Sequence, residues 1–457
     1  MPVMAPNQTS RPDERRGLID KLLSPFTKLE PGEGTNAILL TLSVFLLLTS
    51  YYVLKVVREP LILAAGGATL KSYTSAAQAV LLLFLLPGYS KLAGRVNRTR
   101  LIATVTLIFI SNLVIFYVLA VSNTPGLGIA FFIWVGIFNM MIVAQFWSYA
   151  NDVYTPDQGK RLFAIIGFGQ TMGAVFGGFL SKQLIKTLHV YQLLLVAAVL
   201  LFAYLLVILA VQRRTREVAR DRTADATIPD KRGGFSLIAH SHYLLLIALL
   251  LWALNFANTN GEFILGRVVT GEAVKAAAAS GLAHAASQDF VKQFIGSFYA
   301  DYFTWVNIVT AIIQLFLVSR IMRWFGVQVA LYVLPVVALG AYGMIAFVPL
   351  LALIRAAKIS ENSLDYSLNN TARQALFLPT TREEKYKAKA AIDTLFVRAG
   401  DLSSACLVFI GTRLAFGTRE FAISNMVVIA IWLVIVTALS RNYKRVVAAP
   451  RSETVAA

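Results

Sequence analysis

The chain has 457 residues, 57% of them hydrophobic and only 14% charged, whereas a soluble domain carries about 25% charged and about 45–50% apolar residues; a water-soluble globular protein is excluded. The net charge is +18, from 42 Lys and Arg against 24 Asp and Glu, and where those cations fall along the chain reads as membrane orientation, with no nucleic-acid surface. A single cysteine, Cys406, leaves no disulfide within the chain and no Cys-rich metal site, and the four histidines have no metal-ligand spacing.

In chain order, a polar segment over 1–35 comes first, too long for a cleavable signal peptide. Apolar runs of about 20 residues, enough to cross roughly 30 Å of hydrocarbon, then recur about twelve times, near 36–56, 73–91, 101–121, 127–149, 162–182, 190–211, 242–264, 299–320, 327–348, 350–375, 388–410 and 421–440. The expected fold is all-α and integral to the membrane, with about twelve transmembrane helices. After Val211 the stretch QRRTREVARDRTADATIPDKRGG has hardly any large apolar residue and reads as a linker. This gives a cytoplasmic N-terminal segment (1–35), a six-helix half (36–211), a cytoplasmic linker (212–241), a second six-helix half (242–440) and a cytoplasmic tail (441–457). Two six-helix halves joined this way are the plan of major-facilitator-like transporters, whose site lies between the halves at mid-membrane.

Assigning alternate loops to one face places Arg11, Arg15, Lys91, Arg95, Lys160, Arg161, Arg213, Arg320, Lys385, Lys387 and Arg441 together. About 28 of the 42 Lys and Arg fall on that face, the positive-inside pattern. The expectation is a multi-pass protein of the cell inner membrane with both termini in the cytoplasm.

In the fifth run Gly169, Gly173 and Gly177 recur every fourth residue, a spacing that lets another helix approach closely. Residues 267–298, the one long outer segment, read as short helices outside the membrane or on its surface, with a capping-like Ser287-Gln288-Asp289.

Ionisable residues inside a span cost about 2.5–3.5 kcal/mol each on insertion scales and usually mark a cavity or substrate path. The first run ends SYYVLKVVREPLIL, which puts Lys55, Arg58 and Glu59 on one helical face where the carboxylate can pair with the cations. Snorkelling of Lys55 to the outer interface is the competing reading. The seventh run carries Asn255, Asn258, Thr259, Asn260 and Glu262, with Gly261 expected to loosen the helix. The tenth is the most polar. Lys358, Glu361, Asp365 and Asn369 share one stripe, and Asn362, Tyr366, Asn370 and Arg373 another, so this helix is expected to face water or substrate.

Thr381 to Glu384, TREE, is a capping-box pattern that starts the eleventh helix. Beyond it Lys389 and Asp393 are four apart and Arg398 and Asp401 three apart, so each pair can meet. An interior rich in both signs, with Lys and Arg suited to phosphate and carboxylate groups, points to an anionic small molecule with hydrogen-bonding parts. The candidate binding residues are Lys55, Arg58, Asn258, Glu262, Asp365, Asn369, Arg373, Lys389, Asp393 and Arg398. No catalytic constellation is visible and no G-x-x-x-x-G-K-[ST] phosphate loop occurs, so the chain reads as no enzyme, with no cofactor; any ATP is cargo.

The segment FLPTTREEKYKAKAAID resembles the eleventh-helix segment of the ATP/ADP antiporter family, the nucleotide transporters of plastids and of intracellular bacteria such as chlamydiae and rickettsiae, with relatives in free-living bacteria. Weaker likenesses are YYVLKVVREP, QFWSYANDVYTPDQGKRLFAIIGFG and NTNGE. The resemblance implies exchange of ATP for ADP, or of other nucleotides, by alternating access. It also implies that Lys55 and Lys389 are substrate-binding lysines and that Glu262 is the family's seventh-helix glutamate. The family's fourth-helix glutamate has no counterpart, because the Trp134-Val135 region holds no acid. Transport of another phosphorylated or carboxylated anion, and a non-transporting sensor or scaffold on the same fold, stay open.

Overall fold

The computed structural model describes residues 33–93, 98–154, 156–215, 234–381, 384 and 388–448. The N-terminal segment before Glu33, most of the charged linker, Lys385, Lys387 and the tail beyond Ala448 lie outside the described residues. So do Arg11, Arg15 and Arg95.

Helices account for every regular element, with no strand among the described residues. Among the described residues ten helices are long and apolar enough to span a bilayer. The first of them is two spans in one: the helix Glu33–Ala93 is broken at Gly66 and Gly67, where Gly67 has φ +67°, a left-handed conformation that glycine adopts at no steric cost. Dividing it there, and adding the polar helix over 351–376, gives twelve spans among the described residues, the expected number. They are α1 (33–65), α2 (68–93), α3 (Arg98–Val121), α4 (Leu127–Val153), α5 (Pro156–Leu184) and α6 (Leu193–Thr215), then α7 (His242–Ala279), α8 (His284–Trp324), α9 (Gly326–Phe347), α10 (351–376), α11 (Lys389–Arg413) and α12 (Thr418–Ala448).

Successive spans run antiparallel, so one end of the bundle carries the hairpins at Gly67, Gly126 and Gly281, and the other carries Glu33, Thr215, His242 and Ala448. These are called below the hairpin end and the terminal end. The turn SNTPG is made by Asn123 (φ 50°) and Gly126 (φ 76°).

The glycine row in α5 does what its spacing implies. A Cβ on Gly173 would stand 2.4 Å from the Phe45 carbonyl oxygen, and one on Gly177 would stand 2.7 Å from that of Thr49. The row therefore lets α5 lie directly on α1, and Thr49 Oγ1 donates to the Gly173 carbonyl at 3.2 Å across the contact. At the terminal end Arg161 Nη2 meets Glu33 at 3.1 Å and closes the same helix pair.

Two expectations are corrected. The stretch 267–298 does not form separate short helices: α7 runs on to Ala279 and α8 starts at His284, capped at Ala283 and not at Ser287. The strong helix formers of KAAAA simply carry the helix on to Ala279. Nor is α7 loosened at Gly261, where the helix is continuous. Gly261 is there for space, since a Cβ would come within 1.9 Å of the Tyr342 hydroxyl.

Wide-turn π segments interrupt three spans, at Ile313–Leu317 in α8, Asp365–Asn369 in α10 and Ile392–Phe396 in α11. Such segments are often found at functional sites. The reciprocal hydrogen bonds of the TREE capping box form, from Thr381 N to Glu384 and from Glu384 N to Thr381 Oγ1.

A candidate anion cavity between the two halves

The two halves meet along α5 and α8, and along the continuous α1–α2 stretch with α7, α8 and α11. Between α4 and the spans α10 and α11 there is no extended packing among the described residues. The polar contacts that cross the seam gather at the hairpin end: Lys182 pairs with Asp301, which also holds Arg355, and His189 lies 4.0 Å from Asp289. The bundle is thus sealed at the hairpin end and parted at the terminal end.

Beneath the seal lies a cavity of about 240 Å³ with walls from α1, α2, α4, α7, α8, α10 and α11. Four cations line it, Lys55, Arg58, Lys71 and Arg398, against two carboxylates, Glu262 and Asp401. With walls of net positive charge and low exposure, it favours an anion over a neutral or cationic guest.

Each charge is held differently. The Lys55 ammonium takes part in none of the ion pairs among the described residues. It sits instead over aromatic faces, 4.3 Å from the Phe303 ring centre and 5.0 Å from that of Tyr52, where ring quadrupoles offset part of its desolvation. An aromatic seat positions the ammonium without neutralising it, which leaves its charge for a ligand. The snorkelling reading fails, because the side chain is turned inward and is only 9% exposed.

Arg58 stacks over Phe132 at 4.7 Å and pairs with Glu59 at 2.5 Å. Glu59 is fully buried and takes a second cation, Lys71, at 2.7 Å. Lys71 in turn reaches across the seam to Glu262 at 3.6 Å. Glu262 lies 3.7 Å from Lys358, and Lys358 lies 3.0 Å from Glu361. Six charges of alternating sign therefore run from α1 through α2 and α7 to α10. Tyr302 and Asn362 donate to Glu262 at 3.3 and 3.2 Å, and Tyr342 donates to Glu361 at 2.9 Å. On the other wall Asp401 pairs with Arg398 at 3.1 Å and accepts from Asn255 at 2.7 Å and Thr259 at 2.8 Å.

Of the residues expected from the sequence, Lys55, Arg58, Asn258, Glu262 and Arg398 line this cavity. The others stand apart from it in this conformation. Asp365 accepts from Asn369 at 2.8 Å and lies 3.8 Å from Arg373, all on α10 towards the terminal end. Lys389 pairs with Asp393 at 3.1 Å near the start of α11. The expectation that α10 faces water along both stripes is corrected: Lys358 and Glu361 are 1% and 4% exposed and packed inside the second half, whereas Asn362 and Tyr366 face the cavity.

Sequence reasoning missed Lys71 and Ser72, because it began the second span at residue 73 and left them in a loop, and it passed over Ser75 and Gln78 within that span because neither carries a charge. The glycine pair 66–67 marks the true start. It noted Asn255, Thr259, Asn362, Tyr366 and Asp401 as polar without ranking them as ligands. Where α4 holds no acid, Trp134 turns away into a ring stack with Phe131 and Phe138. Phe132 lines the cavity at that level, and a Cβ on Gly136 would stand 2.1 Å from the Gln78 amide.

Comparison with known proteins agrees with this architecture. Residues 341–443 match the family model described as TLC ATP/ADP transporter. ADP,ATP carrier protein 1 of Chlamydia pneumoniae is 24% identical over 354 residues, which cover 67% of this chain and 65% of that protein. Its counterpart in Chlamydia trachomatis is 23% identical over 359 residues, covering 69% of this chain and 65% of that protein. The chain therefore spans somewhat less than two thirds of the length of the curated relatives it matches. Among solved structures, a peptide transporter in complex with sulfate superimposes with a TM-score of 0.61 at 12% identity, over 93% of this chain and 99% of that one. A nucleoside transporter does so with 0.59 at 12%, over 90% and 99%. A bacterial homologue of the human lysosomal transporter Spinster, in an inward-facing and unoccupied conformation, gives 0.59 at 14%, over 93% and 100%. The major-facilitator-like fold is borne out, and so is the resemblance that FLPTTREEKYKAKAAID carries: in sequence the chain is similar to the ATP/ADP transporters.

Proposed function

We propose that this protein is a secondary transporter that exchanges nucleotides of the ATP/ADP type across a bacterial inner membrane by alternating access. The observation that carries the reading is the inter-half cavity, with four cations against two carboxylates and with Lys55 held over aromatic rings free of any acid. The names of the chlamydial relatives supply the nucleotide.

The terminal end is the cytoplasmic one on this reading, since most of the Lys and Arg of the loops fall there. The parted conformation is then open to the cytoplasm. Phosphates enter the enclosed part, where Lys55, Arg58, Lys71 and Arg398 supply ammonium and guanidinium donors. Ligand pockets usually span about 300–1,000 Å³, so a nucleotide fills the enclosed 240 Å³ with its polyphosphate and extends towards the open end with the rest. Tyr51, Tyr366, Asn255, Asn258 and Asn362 offer aromatic faces and amides to the less charged part. On this reading ATP is cargo, in keeping with a sequence that has no G-x-x-x-x-G-K-[ST] phosphate loop.

A second reading, transport of a different organic anion, is favoured by one observation: α4 presents Phe132 and Gly136 to the cavity region where the family resemblance calls for a glutamate. Thermal unfolding of the purified protein with ligands separates the two. A ligand at 100 times its Kd stabilises the folded form by about 2.7 kcal/mol. ATP and ADP are expected to raise the melting temperature at concentrations where succinate and inorganic phosphate do not; the reverse order would move the reading to the second anion.

A further inference from the structure

Both carboxylates that touch Lys71 have another cation of their own. Glu59 keeps Arg58 at 2.5 Å. Glu262 keeps Lys358 at 3.7 Å, with hydrogen bonds from Asn362 and Tyr302. Lys71 can therefore leave either acid without stranding a buried charge, the event that makes breaking an ion pair costly. Lys358 has no such freedom, being locked on its own half by Asn258 at 2.8 Å and Glu361 at 3.0 Å. Lys71 is also the member of the alternating row that crosses the seam, from α2 to Glu262 on α7, and its side chain forms cavity wall. The other pairs that tie the halves, Lys182 with Asp301 and His189 with Asp289, lie outside the cavity where cargo does not reach them.

We propose that Lys71 is a cargo-operated clamp. In the empty carrier it ties α2 to α7 through Glu262 and holds the hairpin end shut; a phosphate group in the cavity draws it off Glu262 and frees that end to open. The proposal rests on the anion-exchange reading and adds a cause for uptake that requires internal cargo, since the empty inward-open carrier stays tied by Lys71 and Glu262 until a nucleotide enters from the open end.

The test uses the full chain in liposomes with Cys406→Ser and Ala68→Cys. Ala68 is 5% exposed and lines both the central cavity and a second hollow on the hairpin side bounded by Arg267 and Thr412. A membrane-impermeant maleimide added from the hairpin side reports opening. Without nucleotide, labelling is expected to be slow in this parent and about tenfold faster with Lys71→Gln, the factor that corresponds to ~1.4 kcal/mol of lost closed-state preference. Glu262→Gln, which breaks the same pair from the other half, must show the same acceleration, and Lys71→Arg must restore slow labelling. ATP is expected to accelerate the parent and to add nothing to Lys71→Gln, and vesicles without internal nucleotide must take up external ATP when they carry Lys71→Gln but not when they carry the parent. The clamp is overturned if both Lys71→Gln and Glu262→Gln label at the parent rate. If the two variants open the empty protein while ATP affects none of them, the clamp stands and the nucleotide reading fails.

Discussion

Lys55 and Lys358 are both lysines buried among aromatic and polar groups near the cavity, yet replacing them should fail in opposite ways. Lys358 is 1% exposed and meets Glu361, Glu262 and Asn258; Lys358→Met leaves the buried Glu361 carboxylate without a cation, an event that costs about 3–5 kcal/mol. Lys55 touches rings and no carboxylate, so Lys55→Gln strands nothing and forfeits only a cation–π contact of about 0.5–2 kcal/mol, while also relieving a desolvated charge. What it removes is a donor to the cargo: a hydrogen bond to a charged group contributes about 1.5–3 kcal/mol, which is roughly 10- to 150-fold in affinity. Thermal unfolding of the purified protein, beside ATP uptake by proteoliposomes over a range of concentrations, separates the two effects. Lys55→Gln should melt within a few degrees of the parent and raise the KM by one to two orders of magnitude, whereas Lys358→Met should lose folded protein. A Lys55→Gln variant with unchanged KM, or one as unstable as Lys358→Met, would refute the assignment of Lys55 as the free anion-binding cation.

Other substitutions test other parts of the account. Gly173→Leu drives a side chain into the Phe45 carbonyl, and overpacking of this kind costs about 1–3 kcal/mol; a lowered melting temperature in detergent is expected, with Gly271→Ala, which has open space around its Cβ position, as the neutral comparison. Asp401→Ala leaves Arg398, Asn255 and Thr259 without their shared acceptor, so it should lower stability and transport together, seen as loss of folded protein on gel filtration. Lys389→Ala removes a partly exposed pair with Asp393, which contributes about 0–1 kcal/mol to the fold; its effect should fall on cargo capture from the open end, as a raised KM that depends on ionic strength, with an unchanged melting temperature.

The fold was legible because a bilayer imposes two strong patterns, apolar runs of fixed length and an excess of cations on one side, and both survive errors of a few residues. The site was legible in part, for a matching reason. Charges inside apolar runs are conspicuous, so Lys55, Arg58, Glu262 and Arg398 stood out, and all four line the cavity. Lys71 was hidden by an error of five residues in the start of α2, just enough to move it from a span to a loop. Helical spacing predicted correctly that Lys389 can meet Asp393 and Arg398 can meet Asp401, since such pairs depend on one helix alone. Spacing also grouped Lys358 with Asp365, but which neighbour a stripe faces is decided by tertiary packing: Lys358 points into the second half, while Asp365 lies beyond it with Arg373. The pairing of Glu59 with Lys71 as well as Arg58 needed two spans to be placed side by side.

The most direct measurement is uptake of labelled ATP into proteoliposomes preloaded with ADP, set against the same vesicles left empty. The account predicts uptake that requires internal ADP and falls away when Lys55 is replaced by Gln. Uptake of equal rate into empty vesicles would contradict exchange, and correctly folded, oriented protein that moves no nucleotide in either case would contradict the assignment of ATP and ADP as its cargo.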